Sequence, residues 1–155
     1  ESYGYLSGSF VRDKDAVNAS LLICEMFVWY KSQGKTLADA LEALYAQYGF
    51  FEAKLLSFTF EGSAGFAHMT ELLDSLRLSP PAGEAVRQVI DYDRDETGLP
   101  RSNVLRFVLD GGEVVVRPSG TEPKLKIYLT AARESREKSR AMLALLEKRL
   151  TDWAK

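Results

Sequence analysis

The side chains with the most chemistry to offer stand close together in one stretch. Over 117–124 the chain reads Arg-Pro-Ser-Gly-Thr-Glu-Pro-Lys. Arg117 supplies a planar fork of donors that matches phosphate oxygens, Ser119 and Thr121 add neutral hydroxyl donors, and Gly120 lets an anion come close to the backbone amides. Lys124 and Lys126 add positive potential in a secondary role. Together these groups describe a phosphate cradle. The competing reading of the same residues is a proline-bounded turn in which Arg117 makes a surface salt bridge to Glu113 or Glu122.

Other reactive side chains are scattered. Lys14 lies in Val11-Arg12-Asp13-Lys14-Asp15 at the start of a helical pattern, and a helix N-terminus beside a lysine suits an anionic substrate; the alternative is a solvated first-turn lysine. His68 is the sole histidine, so no histidine pair or triad is available, and its mid-helix place reads as structural. Asp91, Asp93, Asp95 and Glu96 lack the spacing and the glycine of a calcium loop and read as a solvated acidic turn. Tyr3, Tyr5 and Phe10 either line a sugar site or pack the first loop. Cys24, the sole cysteine, cannot form an intrachain disulfide; it reads as a small buried hydrophobe in a reducing compartment, which points to the cytoplasm.

The elements that must position these groups follow from periodicity. Asp13 or Asp15 caps a helix in which Lys14, Asn18, Glu25 and Ser32 leave a narrow polar stripe and the remaining sides are apolar; such a helix needs several packed neighbours. Gly34 ends it, and Thr36-Leu37-Ala38-Asp39 resembles a capping box for a second helix that ends at Gly49. Over 50–61 the period changes to two, with Leu56, Phe58 and Phe60 on one face of a strand. Ser63 then caps a helix carrying Phe66, Met69, Leu72, Leu73 and Leu76, which Pro80-Pro81 stops. Strands are expected at 86–92 and 103–109, a hairpin turn at 110–112, and strands at 113–117 and from 124, where Leu125, Ile127 and Leu129 alternate with Lys124, Lys126 and Tyr128. A charged helix with Met142, Leu145, Leu146, Leu150 and Trp153 on its core stripe runs from about 133. The fold class is therefore α+β, an antiparallel sheet packed with two helices, preceded by the helical tail of an α/β unit, with domains at 1–52 and 53–155.

The 155 residues are 46% hydrophobic and 27% charged, a globular balance, and the net charge of −2 argues against general affinity for nucleic acid or anionic membrane surfaces. The longest apolar run, around 21–30, is broken by Glu25 and is too short to span a bilayer. No basic segment followed by an apolar core opens the chain, so no signal peptide is expected. The first residues, Glu1-Ser2-Tyr3-Gly4, form a loop without an initiating Met and read as the start of an excised piece.

The 117–124 stretch resembles the phosphate-binding loop in the C-terminal domain of the α-D-phosphohexomutases, the phosphoglucomutase and phosphomannomutase family. Glu1-Ser2-Tyr3-Gly4 is similar to the latter part of that family's sugar-recognition loop, which carries two glutamates, a serine, an aromatic or aliphatic residue and a glycine. Val11-Arg12-Asp13-Lys14-Asp15 resembles the family's Arg-acidic-Lys-Asp run. The resemblance covers nearly the whole chain. It implies the tail of a third domain over 1–52 and a complete fourth domain, TATA-box-binding-protein-like in fold, over 53–155.

What the resemblance implies for function is specific. Arg117, Ser119, Gly120 and Thr121 would bind the phosphate that is not being transferred. Lys14 would reach the sugar phosphate and Ser2 the sugar, while Glu1 stands beside the position of the glutamate that binds sugar hydroxyls and Lys124 is secondary. The implied activity interconverts hexose 1-phosphate and hexose 6-phosphate through an enzyme phosphoserine and a hexose 1,6-bisphosphate. The Glu-Glu-Ser-aromatic-Gly form of the sugar loop points to glucose. The family's serine loop and its Mg2+-binding aspartate loop lie in earlier domains, and neither pattern occurs in this sequence. No catalytic residue and no metal ligand is therefore expected here, the piece should not turn over substrate alone, and its partners would be a phosphosugar and the upstream domains of the same chain. A rival from another class is a stand-alone anion-binding or protein-interaction module with the C-terminal helix as its partner surface.

Overall fold

The structure is a computed structural model that describes residues 4–79, 85–94, 97–119 and 122–154. It divides into two compact units, Glu1–Tyr48 and Gly49–Lys155.

In the first unit, α1 (Ala16–Ser32) and α2 (Leu37–Tyr48) are joined by a tight turn. Of the two candidate caps it is Asp15 that acts: its carboxylate accepts from the Asn18 amide at 3.0 Å, whereas Asp13 accepts from the amide of Lys14. The helix stops because Gly34, at φ +71°, takes the left-handed conformation. The Gly34 amide then reaches the Lys31 carbonyl and the Lys35 amide the Tyr30 carbonyl, each at 3.0 Å, the paired bonds of a Schellman ending. Thr36 and Asp39 cap α2 reciprocally, the Asp39 amide donating to Thr36 Oγ1 at 3.1 Å and the Thr36 amide to the Asp39 carboxylate at 2.8 Å. α1 buries only Ala19, and Val17, Leu21, Phe27, Val28 and Trp29 are all exposed. Cys24 is exposed too, which corrects its reading as a buried hydrophobe.

The second unit is an antiparallel five-stranded sheet in the order β1-β5-β4-β3-β2, with two helices, the expected α+β architecture. Its strands are β1 (Phe50–Thr59), β2 (Val86–Asp91), β3 (Leu105–Leu109), β4 (Gly112–Pro118) and β5 (Lys124–Arg133); its helices are α3 (Gly62–Leu78) and α4 (Arg136–Trp153). The connection through α3 carries the chain from one edge strand to the other. Period-two alternation puts Leu56, Leu105, Phe107, Leu109, Val114, Val116, Leu125, Ile127 and Leu129 on one face, where they join Met69, Leu73 and Leu76 of α3 and Met142, Leu146 and Leu150 of α4 in one core. Each large side chain removed from water here contributes about 1.5–3 kcal/mol.

Two helix starts differ from the sequence expectation. α3 starts at Gly62 with Glu61 at its cap position, so Ser63 is not the cap. The chain leaves β1 through a turn at Gly62, φ +70°, and a Cβ on Gly65 would stand 2.7 Å from the Phe60 carbonyl carbon, so the helix starts two residues earlier than the serine suggests. At the other end, β5 continues to Arg133 because 130–133 pair with β1, and α4 begins only at Arg136 under the cap of Ser135. The buried Ser139 hydroxyl then accepts from the Arg133 amide at 2.9 Å and donates to the Phe50 carbonyl. Phe50 and Arg133 are register partners, so this hydroxyl bridges the last rung of the β1–β5 ladder and fixes α4 to it.

Candidate functional site

Arg117 is the penultimate residue of β4, and Val116 before it is fully buried in the core. Alternation therefore sends Arg117 to the sheet face turned away from α3 and α4. Directly across the ladder is Lys126, and Val115 stands opposite Tyr128. On the far side of β5, Thr59, Ser57 and Leu55 of β1 face Lys124, Lys126 and Tyr128. This distal face thus gathers Arg117, Lys124, Lys126, Tyr128 and two β1 hydroxyls at the end of the sheet from which the 119–123 loop emerges.

The loop is held from both sides. The Ser119 amide donates to the Lys124 carbonyl at 2.7 Å, which closes its neck, and the Phe60 amide donates to the Pro123 carbonyl at 2.8 Å, which ties it to the end of β1. Pro123 has no amide to offer, so its carbonyl carries the tie. Lys124 Nζ pairs with Glu122 at 3.0 Å and Arg106 with Glu113 at 2.6 Å. Both glutamates proposed as partners of Arg117 in the salt-bridge reading are thereby engaged by other cations. Arg117 Nη2 lies 3.4 Å from the Tyr128 hydroxyl, and its Cζ lies 5.8 Å from the centre of the Tyr128 ring. Gly120 and Thr121, the centre of the expected cradle, lie outside the described residues.

Lys14 belongs to the first unit. Its Nζ pairs with Asp13 at 2.7 Å on the surface, and that hydrogen bond, with a second from the Lys14 amide, holds the Asp13 carboxyl below its ordinary value. The Lys14 stem lies over Gly4, where a Cβ would come within 2.3 Å of its Cδ, and the Asp15 amide donates to the Tyr5 carbonyl at 2.9 Å. Gly4 and Lys14, ten positions apart, are thus brought side by side at the N-terminus of α1. Ser2 and Glu1 lie outside the described residues.

The acidic group at 91–96 has a different use. Asp91 is mostly buried at the end of β2 and accepts from Arg77 Nε at 2.9 Å and from the Asp93 amide at 3.0 Å, while Arg77 also reaches Asn103 at 2.6 Å. Burial pushes the Asp91 carboxyl up, but the hydrogen bonds from Arg77 and Asp93 and the charges of Arg77 and Arg94 more than offset it and hold the group below its ordinary value. This cluster anchors α3 to the β2 edge. Asp95 and Glu96 lie outside the described residues. Among the described residues no group of three or more His, Cys, Asp and Glu side chains converges to hold a metal. Nor, among them, is any helix long and apolar enough to cross a membrane. His68 sits on the exposed side of α3 with its ring 5.8 Å from Phe60.

The family model for the phosphoglucomutase/phosphomannomutase C-terminal domain matches residues 33–147. This chain belongs to that family. The match includes the whole of the five-stranded sheet, α3 and the loop after β4. The chain is 42% identical over 144 residues to a phosphoglucomutase of Staphylococcus haemolyticus (strain JCSC1435), an alignment covering 84% of this chain and 26% of that protein. The same figures hold for a phosphoglucomutase of Staphylococcus aureus (strain bovine RF122 / ET3-1), and one of strain MSSA476 is 41% identical over the same shares. The chain thus spans about a quarter of the length of these relatives and corresponds to the C-terminal part of a phosphohexomutase.

Sequence reasoning singled out the 117–124 side chains as candidate donors but gave Tyr128 no role beyond its place in an alternating strand. The signal was present: Lys126 and Tyr128 share a period-two face, and pairing β4 with β5 across a short loop puts Arg117 beside both.

Proposed function

We propose that this chain is the part of a phosphohexomutase that holds the stationary phosphate while the other phosphate moves between the C1 and C6 hydroxyls of a hexose, glucose being favoured. In this reading Arg117, Ser119, Gly120 and Thr121 bind that phosphate, Lys124 and Lys126 raise the local potential, and Ser2 and Lys14 meet the sugar and its phosphate. In the same reading the unit up to Tyr48 ends the third domain, and the unit from Gly49, which holds all of β1, forms the fourth. The transferring phosphoserine and the Mg2+ site belong to upstream domains of the same chain, and the ion supplies charge neutralisation at the phosphate in transit. The hexose 1,6-bisphosphate turns over between half-reactions, and a pocket built from a guanidinium and hydroxyls accepts a phosphate from either end of the sugar. Its contribution is orientation of the reacting group by donors set in advance. The setting is the cytoplasm.

The observation that carries this reading is the cross-strand pair of Arg117 and Lys126 on the distal face. Like charges directly opposite on a sheet destabilise it, and an anion seated between them reverses the sign of the interaction. Titration of the chain with glucose 1-phosphate, followed by amide chemical shifts, should move Ser119, Lys124 and Lys126 in a saturable way. In a coupled assay the 155-residue chain by itself should show no turnover. Unmoved loop amides, or mutase turnover by the isolated chain, would reject the reading.

A further inference from the structure

We propose that Tyr128 is a positioning residue whose aromatic ring sets the orientation of the Arg117 guanidinium. The inference rests on the reading that Arg117 meets phosphate. Arg117 is exposed at the end of its strand, and a long side chain there samples many rotamers unless something orders it. Lys126, directly opposite, carries a like charge. The diagonal neighbour of Arg117 on β5 is Tyr128, which stands opposite Val115 on the same face. Its ring centre lies 5.8 Å from Arg117 Cζ, within the range of cation–π attraction. The hydroxyl, at 3.4 Å from Nη2, is at the long limit of a hydrogen bond, so the ring rather than the hydroxyl carries the contact. Tyr128 is half-buried on the face away from the core, so exchanging it leaves the packed side of the sheet intact. Ordering the fork before phosphate arrives removes part of the entropy that binding would otherwise have to overcome.

The test compares the full chain with Tyr128→Phe, which keeps the ring and removes the hydroxyl, and with Tyr128→Ile, which keeps a strand-forming apolar side chain and removes the ring. Each is titrated with inorganic phosphate at constant ionic strength while the Arg117 Nε–Hε resonance is followed. Tyr128→Phe should bind within about 1.5-fold of the native chain, and Tyr128→Ile should bind about three- to fivefold more weakly. Before any phosphate is added, Tyr128→Ile should also lose the ring-current displacement of the Arg117 resonance. Tyr128→Thr takes the place of Tyr128→Ile if the latter folds poorly. Native affinity in both ring-less variants, or a Tyr128→Phe variant as weak as Tyr128→Ile, overturns the proposal. An Arg117 resonance that is ring-shifted in the native chain yet silent to phosphate refutes the phosphate reading itself, and the positioning role falls with it.

Discussion

Replacing Arg117 by alanine should separate binding from folding, because the two consequences differ in size. For binding, a charge-assisted contact from a guanidinium to phosphate is worth about 1.5–3 kcal/mol. At this exposed position the lower end applies, a loss of about tenfold in affinity. For folding, two small terms oppose each other. Removing Arg117 relieves its repulsion with Lys126, below about 1 kcal/mol in water and less in 0.1 M salt. It also removes the contact with Tyr128, about 0.5–1 kcal/mol. The net change is about 0.5 kcal/mol, or about 2–4 °C in Tm for a domain of this size.

Thermal melts in chloride and in phosphate at matched ionic strength read both quantities. With phosphate at ten times Kd the native chain gains RT ln 11, about 1.4 kcal/mol; the variant, binding tenfold more weakly, gains RT ln 2, about 0.4 kcal/mol. The phosphate-dependent rise in Tm should therefore fall to about a third of its native size, while the melt in chloride moves by only about 2–4 °C. Two results would refute this reasoning. A loss above about 1.5 kcal/mol in chloride would make Arg117 part of the fold, and an undiminished phosphate gain would remove it from the anion site.

Two further outcomes follow from the same structure. Ser139→Ala removes the buried hydroxyl that bridges the Arg133 amide and the Phe50 carbonyl, and should cost about 1–3 kcal/mol in urea unfolding with an unchanged m-value; a cost below about 0.5 kcal/mol would show that α4 holds the β1–β5 end without it. The Asp91 carboxyl is held below its ordinary value in the folded chain, so its contribution is present above its unfolded value near pH 3.9 and is lost as the pH falls through the lowered folded value. Asp91→Asn should lower stability at pH 7 by about 1.5–3 kcal/mol and flatten the acid limb of the stability profile, and an unchanged acid limb would place the proton uptake elsewhere.

Local features of the chain were readable from the residues because their causes are local. The Thr36–Asp39 cap and the Gly34 stop depend on neighbours within five positions, and the period-two strands declare which side chains share a face. Boundaries that depend on what lies across the sheet were not readable. Nothing in 130–133 distinguishes a strand end from a helix start until β1 pairs with it, and the early start of α3 comes from the close approach of Gly65 to the Phe60 backbone. Asp91 looked like one of several solvated carboxylates, and it takes Arg77, fourteen positions away on α3, to make it an internal anchor.

For the candidate site the division is the same. The sequence alone determined the stock of donors over 117–124, since guanidinium, hydroxyl and glycine chemistry belongs to each residue wherever it sits, and their contiguity limits how far apart a loop can carry them. Tertiary structure decided what surrounds them. The β4–β5 register sets Lys126 against Arg117 and lays Tyr128 diagonally beside it, Lys124 and Arg106 occupy the nearby glutamates, and the Phe60 amide fastens the loop to β1. Charge, orientation and tethering arise from pairing between strands, and a one-residue slip in that pairing would send every one of these side chains to the opposite face.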